Sequence, residues 1–364
     1  MRIVIAGGGT GGHLSPGIAV AQALRRLAPQ VEVHMLCSKR VLDAHMLSRA
    51  GLPYHPLNCE SVPYGLSLRA ALSAGRLAAA TVQAGRLLKQ LRPSVVLGVG
   101  GYVSAPVVTA ARGRRIPVAL HVLDAYPDRA NLLLSRWAQW ITVAFAAAAP
   151  CFPADRTEVV GCPVREEILR ASRRTGQNEL GLDPGLATLL VMGGSHGARR
   201  LNQAVVEALP RLLTSLPVQI VHLIGEAEFA EVTSAAAPTA RVHGRYRPLA
   251  FTDEIGPVLA AADLAMARAG ASSMAEMSVR GLAQILVPYP YAGGHQQANA
   301  AALVAAGGAQ VLPDAHCDAD RLYSAVAELV QDPGRRARMG ETARAWAAPQ
   351  AAERLAAGLL DRAE

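Results

Sequence analysis

The segment RIVIAGGGTGGHLSPG at residues 2–17 reads as a strand, a glycine-rich loop and the start of a helix. Its apolar run, residues 3–6, predicts a buried strand, and the glycines that follow predict a tight turn into a helix. Glycine tolerates positive φ and lets the backbone come close to a ligand, and N–H groups at the start of a helix attract anions. The segment therefore predicts a phosphate-binding loop, with Ser15 as the N-cap of the helix, Pro16 as its first residue and His13 just before it.

Two nucleotide-binding motifs match this loop only in part. The glycines fit G-x-G-x-x-G, but the next predicted strand, residues 31–37, leads into Ser-Lys-Arg at 38–40 and lacks the acidic residue that would bind a ribose. An NADP-binding variant stays open on this pattern. The residues after Gly12 are His and Leu, so the Lys-Ser or Lys-Thr pair of a P-loop is missing. The remaining interpretation is a glycine cradle with a histidine at its rim.

Alternating strand and helix patterns along the chain predict an α/β fold with parallel sheets. The predicted strands of the first half are Ile3–Ala6, Val31–Leu36, Val95–Val99, Val118–His121, Ile141–Phe145 and Glu158–Val160. Those of the second half are Ala187–Met192, Val218–Ile224, Arg241–Val242, Leu264–Met266, Gln284–Val287 and Ala309–Leu312.

The two halves also resemble each other. Residues 4–24 and 190–209 both read as a strand, a Gly-Gly turn and an amphipathic helix. This repetition predicts two Rossmann-like domains, with ligands at the carboxyl ends of the strands in the cleft between them. The boundary is expected at GCPVR, residues 161–165, between a strand and a new helix.

Length and cysteine usage place the protein in a broad class. The 364 residues are enough for two domains, each with its own core. The five cysteines are odd in number and form no C-x-x-C pair, which favours a reducing cytoplasm and argues against disulfides or a zinc site. The apolar run before Gly7 is too short for the core of a signal peptide. The uncharged stretch 137–154 contains two prolines and is expected to be a buried strand plus a loop instead of a membrane span.

The net charge of +8 is concentrated in the first half. Residues 1–161 carry 17 Lys and Arg against 7 Asp and Glu, whereas residues 162–364 carry 19 against 21. Between residues 61 and 123 there is no acidic residue, and leucines interleave with arginines. This pattern fits either an ordinary solvated face or a surface resting on anionic lipid. No nucleic-acid-binding motif is present, so nucleic acid is not expected as a partner. The residues expected at the membrane surface are Leu66, Arg69, Leu72, Arg76 and Arg86.

Two motifs of the second half suggest nucleotide binding. GGSHGA at residues 193–198 follows a predicted strand and is a second candidate anion site at a helix start. RAGASSMAEM at residues 268–277 places Glu276 about one turn into a helix, where its carboxylate can accept two hydrogen bonds from a ribose. The alternative for Glu276 is a surface carboxylate that stabilises the start of the helix.

A third motif of the second half suits a sugar. VPYPYAGGHQQANA at residues 287–300 places one histidine, two glutamines and one asparagine in a glycine-led loop that enters a helix. Neutral amides both donate and accept hydrogen bonds, as sugar hydroxyls require, and Arg165 could add a charge-assisted contact to a phosphate. Together these groups indicate a sugar nucleotide. The D-x-D at 318–320 precedes a helical pattern and is expected to cap that helix, so neither a metal nor a cofactor is expected.

Six motifs, in this order along the chain, resemble the MurG family of glycosyltransferases. They are GGGTGGHLSPGIAVAQAL, GVGGYVSAPVVTAA, GCPVR, GGSHGARRLN, RAGASSMAEM and PYPYAGGHQQANA, and they span nearly the whole chain. Members of this family have the two-domain GT-B fold. They transfer N-acetylglucosamine from UDP-N-acetylglucosamine to the muramyl 4-hydroxyl of lipid I, which gives the β-1,4-linked lipid II of peptidoglycan.

The resemblance implies a domain layout and a location. Residues 1–161 would bind the acceptor and the membrane, residues 162–343 would bind the UDP-sugar, and a final helix at 344–362 would return to the first domain. The enzyme would be inverting, independent of metal, and peripheral on the cytoplasmic face of the cell membrane. Other cell-wall synthesis proteins are further candidate partners.

The resemblance also assigns residues by their position in the motifs. His13 would be the general base on the acceptor hydroxyl. The acceptor diphosphate would lie at Thr10, Gly11, Gly12, Gly100, Gly101 and Tyr102. The donor would be bound by Asp124, Arg165, Ser195, His196, Thr252, Ala271, Ser272, Ser273, Glu276, Gln296 and Gln297, with Glu276 at the ribose and the glutamines at the sugar.

Two departures from the family pattern bear on the donor. Where the family usually has His-Glu-Gln-Asn, this chain has His-Val-Leu-Asp at residues 121–124, and His196 stands where the family usually has Gln. Asp124 can accept hydrogen bonds but cannot donate like an amide. The main alternative is therefore a transferase acting on another lipid acceptor. A UDP-N-acetylglucosamine epimerase of the same fold is less favoured, because it would need more charged residues around the sugar than residues 296–299 supply.

Overall fold

A computed structural model of the chain describes residues 1–60, 68–194, 198–291 and 294–363, without the side chains of residues 68–71. The chain forms two compact units. The first comprises Met1–Arg165 together with Pro349–Glu364, and the second comprises Glu166–Ala348. Each unit contains one parallel β-sheet and helices, which confirms the predicted α/β class.

The first unit is built on a seven-stranded sheet. Its strands are β1 (Arg2–Ala6), β2 (Glu32–Ser38), β3 (Tyr54–Leu57), β4 (Val95–Gly98), β5 (Val118–Val122), β6 (Trp140–Val143) and β7 (Thr157–Val159). Their order in the sheet is β3-β2-β1-β4-β5-β6-β7. The helices of this part of the chain are α1 (Gly11–Leu27), α2 (Val41–Arg49), α3 (Leu68–Leu91), α4 (Ser104–Gly113) and α5 (Arg129–Leu134).

The second unit is built on a six-stranded sheet. Its strands are β8 (Ala187–Met192), β9 (Val218–Leu223), β10 (Tyr246–Leu249), β11 (Leu264–Ala267), β12 (Ala283–Leu286) and β13 (Ala309–Val311), and their order is β10-β9-β8-β11-β12-β13. Its helices are α6 (Glu166–Arg170), α7 (Arg173–Glu179), α8 (Arg199–Ser215), α9 (Phe229–His243), α10 (Ile255–Ala261), α11 (Ala271–Val279), α12 (His295–Ala306), α13 (Ala319–Gln331) and α14 (Pro333–Trp346). The last helix, α15 (Ala351–Asp361), belongs to the first unit.

Strand β1 lies at the centre of the first sheet. It pairs in parallel with β2 and β4, so that Ala6 lies opposite Leu36 and Gly98. Its side chains alternate between two cores: Ile3 and Ile5 pack in the core that contains α1, and Val4 and Ala6 pack in the core that contains α4. Because parallel strands end at the same edge of a sheet, the loops after β1 and β4 lie side by side.

Helix α1 begins earlier than the sequence predicted. Its N-cap is Thr10, and Pro16 lies inside the helix. The carbonyl of Thr10 accepts hydrogen bonds from the N–H groups three and four residues later, at 3.2 Å each, so the first turn closes before Ser15. The predicted cap at Ser15 and the predicted start at Pro16 are wrong, and His13 lies in the first helical turn.

Two strand predictions were also inaccurate. Residues 241–242 lie in α9, and Gly244 ends that helix with a φ of 60° before β10 begins at Tyr246. Strand β3 was not predicted, because its four residues include a histidine and Pro56. A short edge strand tolerates proline, and β3 pairs only with β2 in the described sheet.

The predicted final helix is divided into two. Helix α14 ends at Trp346 and α15 begins at Ala351, with Pro349 between them. Leu355 and Leu359 of α15 are fully buried in the same core as α1. The C-terminal segment is therefore an integral part of the first unit.

The stretch 137–154 forms a buried strand and turns, as predicted. It contains β6 and short 3₁₀ segments at Ala146–Cys151 and from Ala154 onwards. Within the described ranges, no helix combines the length and the apolar character that crossing a bilayer requires.

Candidate active site

The glycines of the first loop divide into two groups. A Cβ atom placed on Gly7, Gly8 or Gly9 would lie 2.3, 2.3 or 2.4 Å from a side-chain atom of a neighbouring segment, so packing within the protein requires these three glycines. Gly11 and Gly12 differ, because the nearest atom to such a Cβ is 3.9 Å away at each position. Neither has a positive φ. Packing and backbone conformation therefore do not explain the two glycines that open helix α1.

Several N–H groups of this loop are already bonded within the protein. The N–H of Gly7 donates to the carbonyl of Leu36 at 3.1 Å, and the N–H of Gly9 donates to Oδ2 of Asp43 at 2.8 Å. The N–H of His13 donates to the carbonyl of Thr10 at 3.2 Å. The part of the loop that can receive an anion is thus narrower than the sequence suggested, and it lies at the first residues of α1.

His13 lies between this loop and the glycine pair after β4. Its Nδ1 is 2.8 Å from Oγ1 of Thr10. A Cβ on Gly100 would lie 3.0 Å from Cδ2 of the imidazole, and Gly100 and Gly101 have φ values of 94° and 71°. The backbone of the glycine pair therefore approaches the histidine ring more closely than a larger residue allows. The ring of Tyr102 in turn contacts Gly9. The structure brings together every residue predicted for the acceptor diphosphate.

The electrostatic environment of His13 combines opposing effects. Burial lowers the pKa of His13, while the carboxylates of Asp124, Asp128 and Asp43 act to raise it. The net direction is downward, so the imidazole is neutral at physiological pH and can accept a proton. The nearby carboxylates would stabilise the imidazolium that forms when it does so.

The divergent segment at 121–124 places its two polar residues differently. His121 is 1% exposed, and its Nδ1 is 2.9 Å from Oγ1 of Thr142. Burial lowers the pKa of His121 to about 3, which keeps this side chain neutral. Asp124 is half-buried and acts on His13 through its charge. The sequence could not show that a residue predicted for the donor also influences the candidate base.

In the second unit, helix α11 presents the predicted ribose and phosphate residues. Its N-cap is Gly270, so residues 271–273 form its first turn. Glu276 is 8% exposed, which excludes the alternative of a solvated surface carboxylate. Thr252 lies in the loop before α10, where its Oγ1 accepts a hydrogen bond from the N–H of Glu254 at 3.1 Å.

Gln296 holds two loops together at the start of α12. Its Oε1 accepts hydrogen bonds from the N–H groups of Ala269 and Tyr289, at 3.2 and 2.8 Å. The amide of Asn299 donates to the carbonyl of Ala269 at 3.2 Å and is fully buried. The acceptor oxygen of Gln296 is thus occupied within the protein, and its NH₂ group is the part suited to a ligand. Gln297 lies on the same turn, with its Nε2 3.5 Å from the carbonyl of Tyr289.

Both halves of the chain match one family of enzymes. The model of the glycosyltransferase family 28 N-terminal domain matches residues 3–143, and that of the family 28 C-terminal domain matches residues 188–355. A protein of Desulforudis audaxviator named as UDP-N-acetylglucosamine–N-acetylmuramyl-(pentapeptide) pyrophosphoryl-undecaprenol N-acetylglucosamine transferase is 40% identical over 359 residues, or 96% of this chain and 95% of that protein. The chain belongs to glycosyltransferase family 28.

Other members of family 28 agree with this assignment. A Nocardioides protein of the same name is 39% identical and is matched over 99% of this chain and 98% of its own length. The crystal structure of Acinetobacter baumannii MurG is 27% identical, with a TM-score of 0.74 and 99% of both chains covered. The resemblance to the MurG family is confirmed. A Staphylococcus aureus MnaA structure with UDP, at 14% identity and a TM-score of 0.72, shares the fold alone.

The motif at residues 268–277 begins with Arg268, and the structure gives this arginine a role that the sequence did not predict. Arg268 forms an ion pair with Asp314 at 2.5 Å, with both side chains largely buried. It also donates to the carbonyl of Val287 at 3.0 Å. The arginine thereby connects the ends of β11 and β12 to the segment after β13. In the sequence, the only indication of this role is that Arg268 is the first residue of a motif that leads from a strand into a helix.

Separate outcomes apply to the membrane-surface residues, which the charge pattern predicted, and to three of the donor residues. Leu72 is 60% exposed and Arg86 is exposed, whereas Arg76 forms an ion pair with Glu60 at 2.7 Å. Arg165 is half-buried in the last segment of the first unit before α6. Ser195, His196, Leu66 and the side chain of Arg69 lie outside the described residues.

The D-x-D motif has the capping role that the sequence predicted. Asp318 is the N-cap of α13 and accepts a hydrogen bond from the N–H of Arg321 at 2.9 Å. In the part of the chain that the structure describes, no group of three or more His, Cys, Asp and Glu side chains is placed to hold a metal ion.

Proposed function

We propose that this protein transfers N-acetylglucosamine from UDP-N-acetylglucosamine to the muramyl 4-hydroxyl of lipid I. The observation that carries the proposal is the pair Gly11 and Gly12, which open α1 beside His13 although neither packing nor φ requires glycine there. Glycines without an internal reason leave space for a ligand at a helix start. The names of the relatives from Desulforudis and Nocardioides supply the substrate class.

The first unit binds the lipid-linked diphosphate of the acceptor in this proposal. The partial positive charge at the start of α1 attracts the phosphates, and the N–H groups of Thr10 and Gly11 bind them. The glycine pair at 100–101 and Tyr102 complete the surroundings of the imidazole. The acceptor hydroxyl then lies at the histidine.

The second unit binds the donor. Glu276 accepts hydrogen bonds from the ribose hydroxyls, and the first turn of α11 at residues 271–273 lies at the uracil and the phosphates. The NH₂ group of Gln296 is directed to the sugar, because its oxygen is bonded to the protein. Gln297 and Arg165 remain predicted ligands of the sugar and the diphosphate.

The chemical step is an inverting displacement. In the tautomer with its proton on Nδ1, the neutral imidazole donates a hydrogen bond from Nδ1 to Oγ1 of Thr10, and the lone pair of Nε2 takes the proton of the acceptor hydroxyl. The hydroxyl oxygen forms a bond to the anomeric carbon as the bond between that carbon and the UDP oxygen breaks. The electron pair of the broken bond leaves with the diphosphate of UDP, and the new linkage is β-1,4.

The first unit also supplies the membrane surface in this proposal, at the cytoplasmic face. Arg86 lines a cavity of about 570 Å³ with Arg2, Lys89, Gln90 and Arg92, and a second cavity of about 770 Å³ contains Arg112, Arg115 and Arg136. Leu72 and Val82 expose apolar surface on α3. Arginines and exposed apolar side chains together favour a surface of anionic lipid.

Vesicle binding tests the membrane surface. The double variant Arg86→Glu, Lys89→Glu is expected to sediment less with phosphatidylglycerol vesicles at low salt than the wild type. The double variant Arg174→Glu, Arg241→Glu, at two exposed helix positions of the second unit, makes the same change in net charge and should bind as the wild type does. Equal sedimentation of all three proteins would exclude this face from membrane binding.

Product analysis tests the transferase proposal against its alternatives. The purified protein is incubated with UDP-N-acetylglucosamine and either a lipid I analogue or a diacylglycerol, and the products are separated and identified by mass and by NMR of the new linkage. The proposal requires that a disaccharide product forms when the acceptor is the lipid I analogue, and that no product forms when the acceptor is diacylglycerol. A diacylglycerol glycoside would support the other lipid acceptor, and UDP-N-acetylmannosamine formed without acceptor would support an epimerase.

A further inference from the structure

The segment that follows β2 lies directly against the glycine-rich loop. Strand β2 ends at Ser38, and α2 begins at Val41 with Arg40 as its N-cap. The sequence Ser-Lys-Arg at 38–40 left an NADP-binding variant open. The structure shows that the side chain of Arg40 is bonded to Gly9 of the loop. Asp43, in the first turn of α2, makes a second contact to Gly9.

Asp43 holds the N–H side of Gly9. The carboxylate is fully buried, and its Oδ2 accepts three hydrogen bonds: from the N–H of Gly9 at 2.8 Å, the N–H of Ser38 at 3.0 Å and Oγ of Ser38 at 2.7 Å. The same oxygen would lie 2.3 Å from a Cβ on Gly8. The carboxylate thus joins the end of β2 to the loop after β1, and it accounts for the glycine at position 8.

Arg40 holds the carbonyl side of Gly9. Its guanidinium donates from Nη1 to the carbonyl oxygen of Gly9 at 2.7 Å. The side chain is kept near the loop because the N–H of Arg40 donates to Oγ of Ser38, at 3.2 Å, and Ser38 is itself bonded to Asp43. Both polar groups of Gly9 are therefore bonded to one short segment, residues 38–43.

This arrangement fixes the direction of the next N–H group. A peptide unit is planar and trans, so its carbonyl and its N–H point in opposite directions. When Arg40 binds the carbonyl of Gly9, the N–H of Thr10 in the same peptide unit must point away from Arg40. Gly9 has a φ of 87°, but glycine can adopt negative φ values about as readily. The bonds from Asp43 and Arg40 therefore select one backbone conformation at Gly9.

We propose that Asp43 and Arg40 are positioning residues, which hold the two polar groups of Gly9 and thereby aim the N–H groups at the start of α1 toward the acceptor diphosphate. The inference rests on the proposed function for the identity of that ligand. It assigns neither residue a contact with substrate. It also replaces the NADP interpretation of residues 38–40, because the guanidinium that would bind a 2′-phosphate is bonded to the loop.

Steady-state kinetics of single variants test the proposal. Arg40→Ala is expected to raise the KM for a lipid I analogue about 10-fold, the value of one charge-assisted hydrogen bond, with the KM for UDP-N-acetylglucosamine unchanged. Lys39→Ala is the matched control, since it removes the same charge from the adjacent exposed position. Arg40→Lys, which keeps a donor, should recover part of the loss.

The buried partner is tested by a conservative pair. Asp43→Asn keeps an acceptor oxygen and is expected to retain most of the acceptor affinity, whereas Asp43→Ala leaves the N–H groups of Gly9 and Ser38 unpaired and should raise the acceptor KM more. Thermal unfolding and the affinity for UDP show whether each variant is folded. Equal acceptor KM values for Arg40→Ala, Asp43→Ala and the wild type would overturn the proposal.

Hydrogen exchange separates this proposal from the proposed function. In the protein without substrates, the amides of residues 8–12 should exchange faster in Arg40→Ala and Asp43→Ala than in the wild type or Lys39→Ala. Unchanged exchange in folded variants would contradict the positioning role. If the wild-type protein shows no turnover with lipid I, the proposed function fails, and the exchange rates still decide whether residues 38–43 hold the loop.

Discussion

Replacing Gly12 by alanine should stabilise the protein and impair the acceptor reaction. Gly12 is exposed in the first turn of α1, and a Cβ there would meet no atom closer than Oγ1 of Thr10 at 3.9 Å. The substitution is therefore free of internal clashes. Alanine has less backbone entropy to lose than glycine, so the helix gains about 0.5–1 kcal/mol. For a unit of this size, that gain corresponds to an increase in Tm of roughly 1–4 °C.

The acceptor would experience the opposite effect. The new methyl group occupies the space in which a phosphate oxygen approaches the helix start. Loss of one charge-assisted hydrogen bond costs about 1.5–3 kcal/mol, which is about a 10–100-fold increase in the KM for a lipid I analogue. The KM for UDP-N-acetylglucosamine should not change, because the donor residues of α11 and α12 lie in the second unit.

The matched control is Gly113→Ala. Gly113 is also an exposed helical glycine of the first unit with no atom within 4 Å of its Cβ position, but it lies at the end of α4. It should give a similar gain in Tm with an unchanged acceptor KM. Thermal unfolding and steady-state kinetics of both variants provide the comparison. A Gly12→Ala enzyme with the acceptor KM of the wild type would refute the assignment of this helix start to the diphosphate.

Four further outcomes are expected. Gly101→Ala should destabilise the first unit by roughly 2–5 kcal/mol in urea unfolding, because its φ is 71° and its Cβ would lie 2.6 Å from the carbonyl oxygen of Gly8; a loss below the error of the measurement would contradict this packing. His13→Ala should slow turnover by about 10²–10⁴-fold with little change in donor affinity by calorimetry, and wild-type turnover would exclude it as the base. Glu276→Ala should mainly weaken UDP-N-acetylglucosamine binding in the same calorimetric assay, and an unchanged dissociation constant would exclude the ribose contact. Because the pKa of His121 is lowered to about 3 in the folded state, the unfolded state binds the extra proton as the pH falls, and the loss of stability between pH 6.5 and 5 should be smaller by roughly 1.5–2 kcal/mol in His121→Leu than in the wild type; an equal loss in both proteins would contradict the neutral buried state.

The positions of the strands followed well from the sequence, because apolar runs bounded by glycine carry most of that information. Prediction was less accurate for the start of one helix and for an edge strand. Helix α1 starts at Gly11 because the carbonyl of Thr10 closes the first turn, although Ser15 and Pro16 have the residue types of a helix start. Strand β3 forms because β2 offers it a free edge, and its own residues give little indication of a strand.

The candidate site was also predictable from the sequence only in part. Thr10–Gly12, His13 and the pair at 100–101 lie together in the structure, since they follow neighbouring strands β1 and β4 of one sheet. Sequence spacing could not show that Asp43 and Arg40 hold Gly9, because they reach it from a different strand. It also could not show that the oxygen of Gln296 is already bonded to two backbone N–H groups. Hydrogen bonds between segments that are distant in sequence can be identified only from the folded structure.

The release of UDP from UDP-N-acetylglucosamine by the purified wild-type protein is a direct test of whether this protein transfers N-acetylglucosamine to lipid I. The measurement is made with and without a lipid I analogue, in the presence and absence of EDTA, and with His13→Ala as the comparison. We expect release that depends on lipid I, persists in EDTA and falls sharply in the variant. Release without any acceptor, or binding of the donor with no response to lipid I, would contradict it.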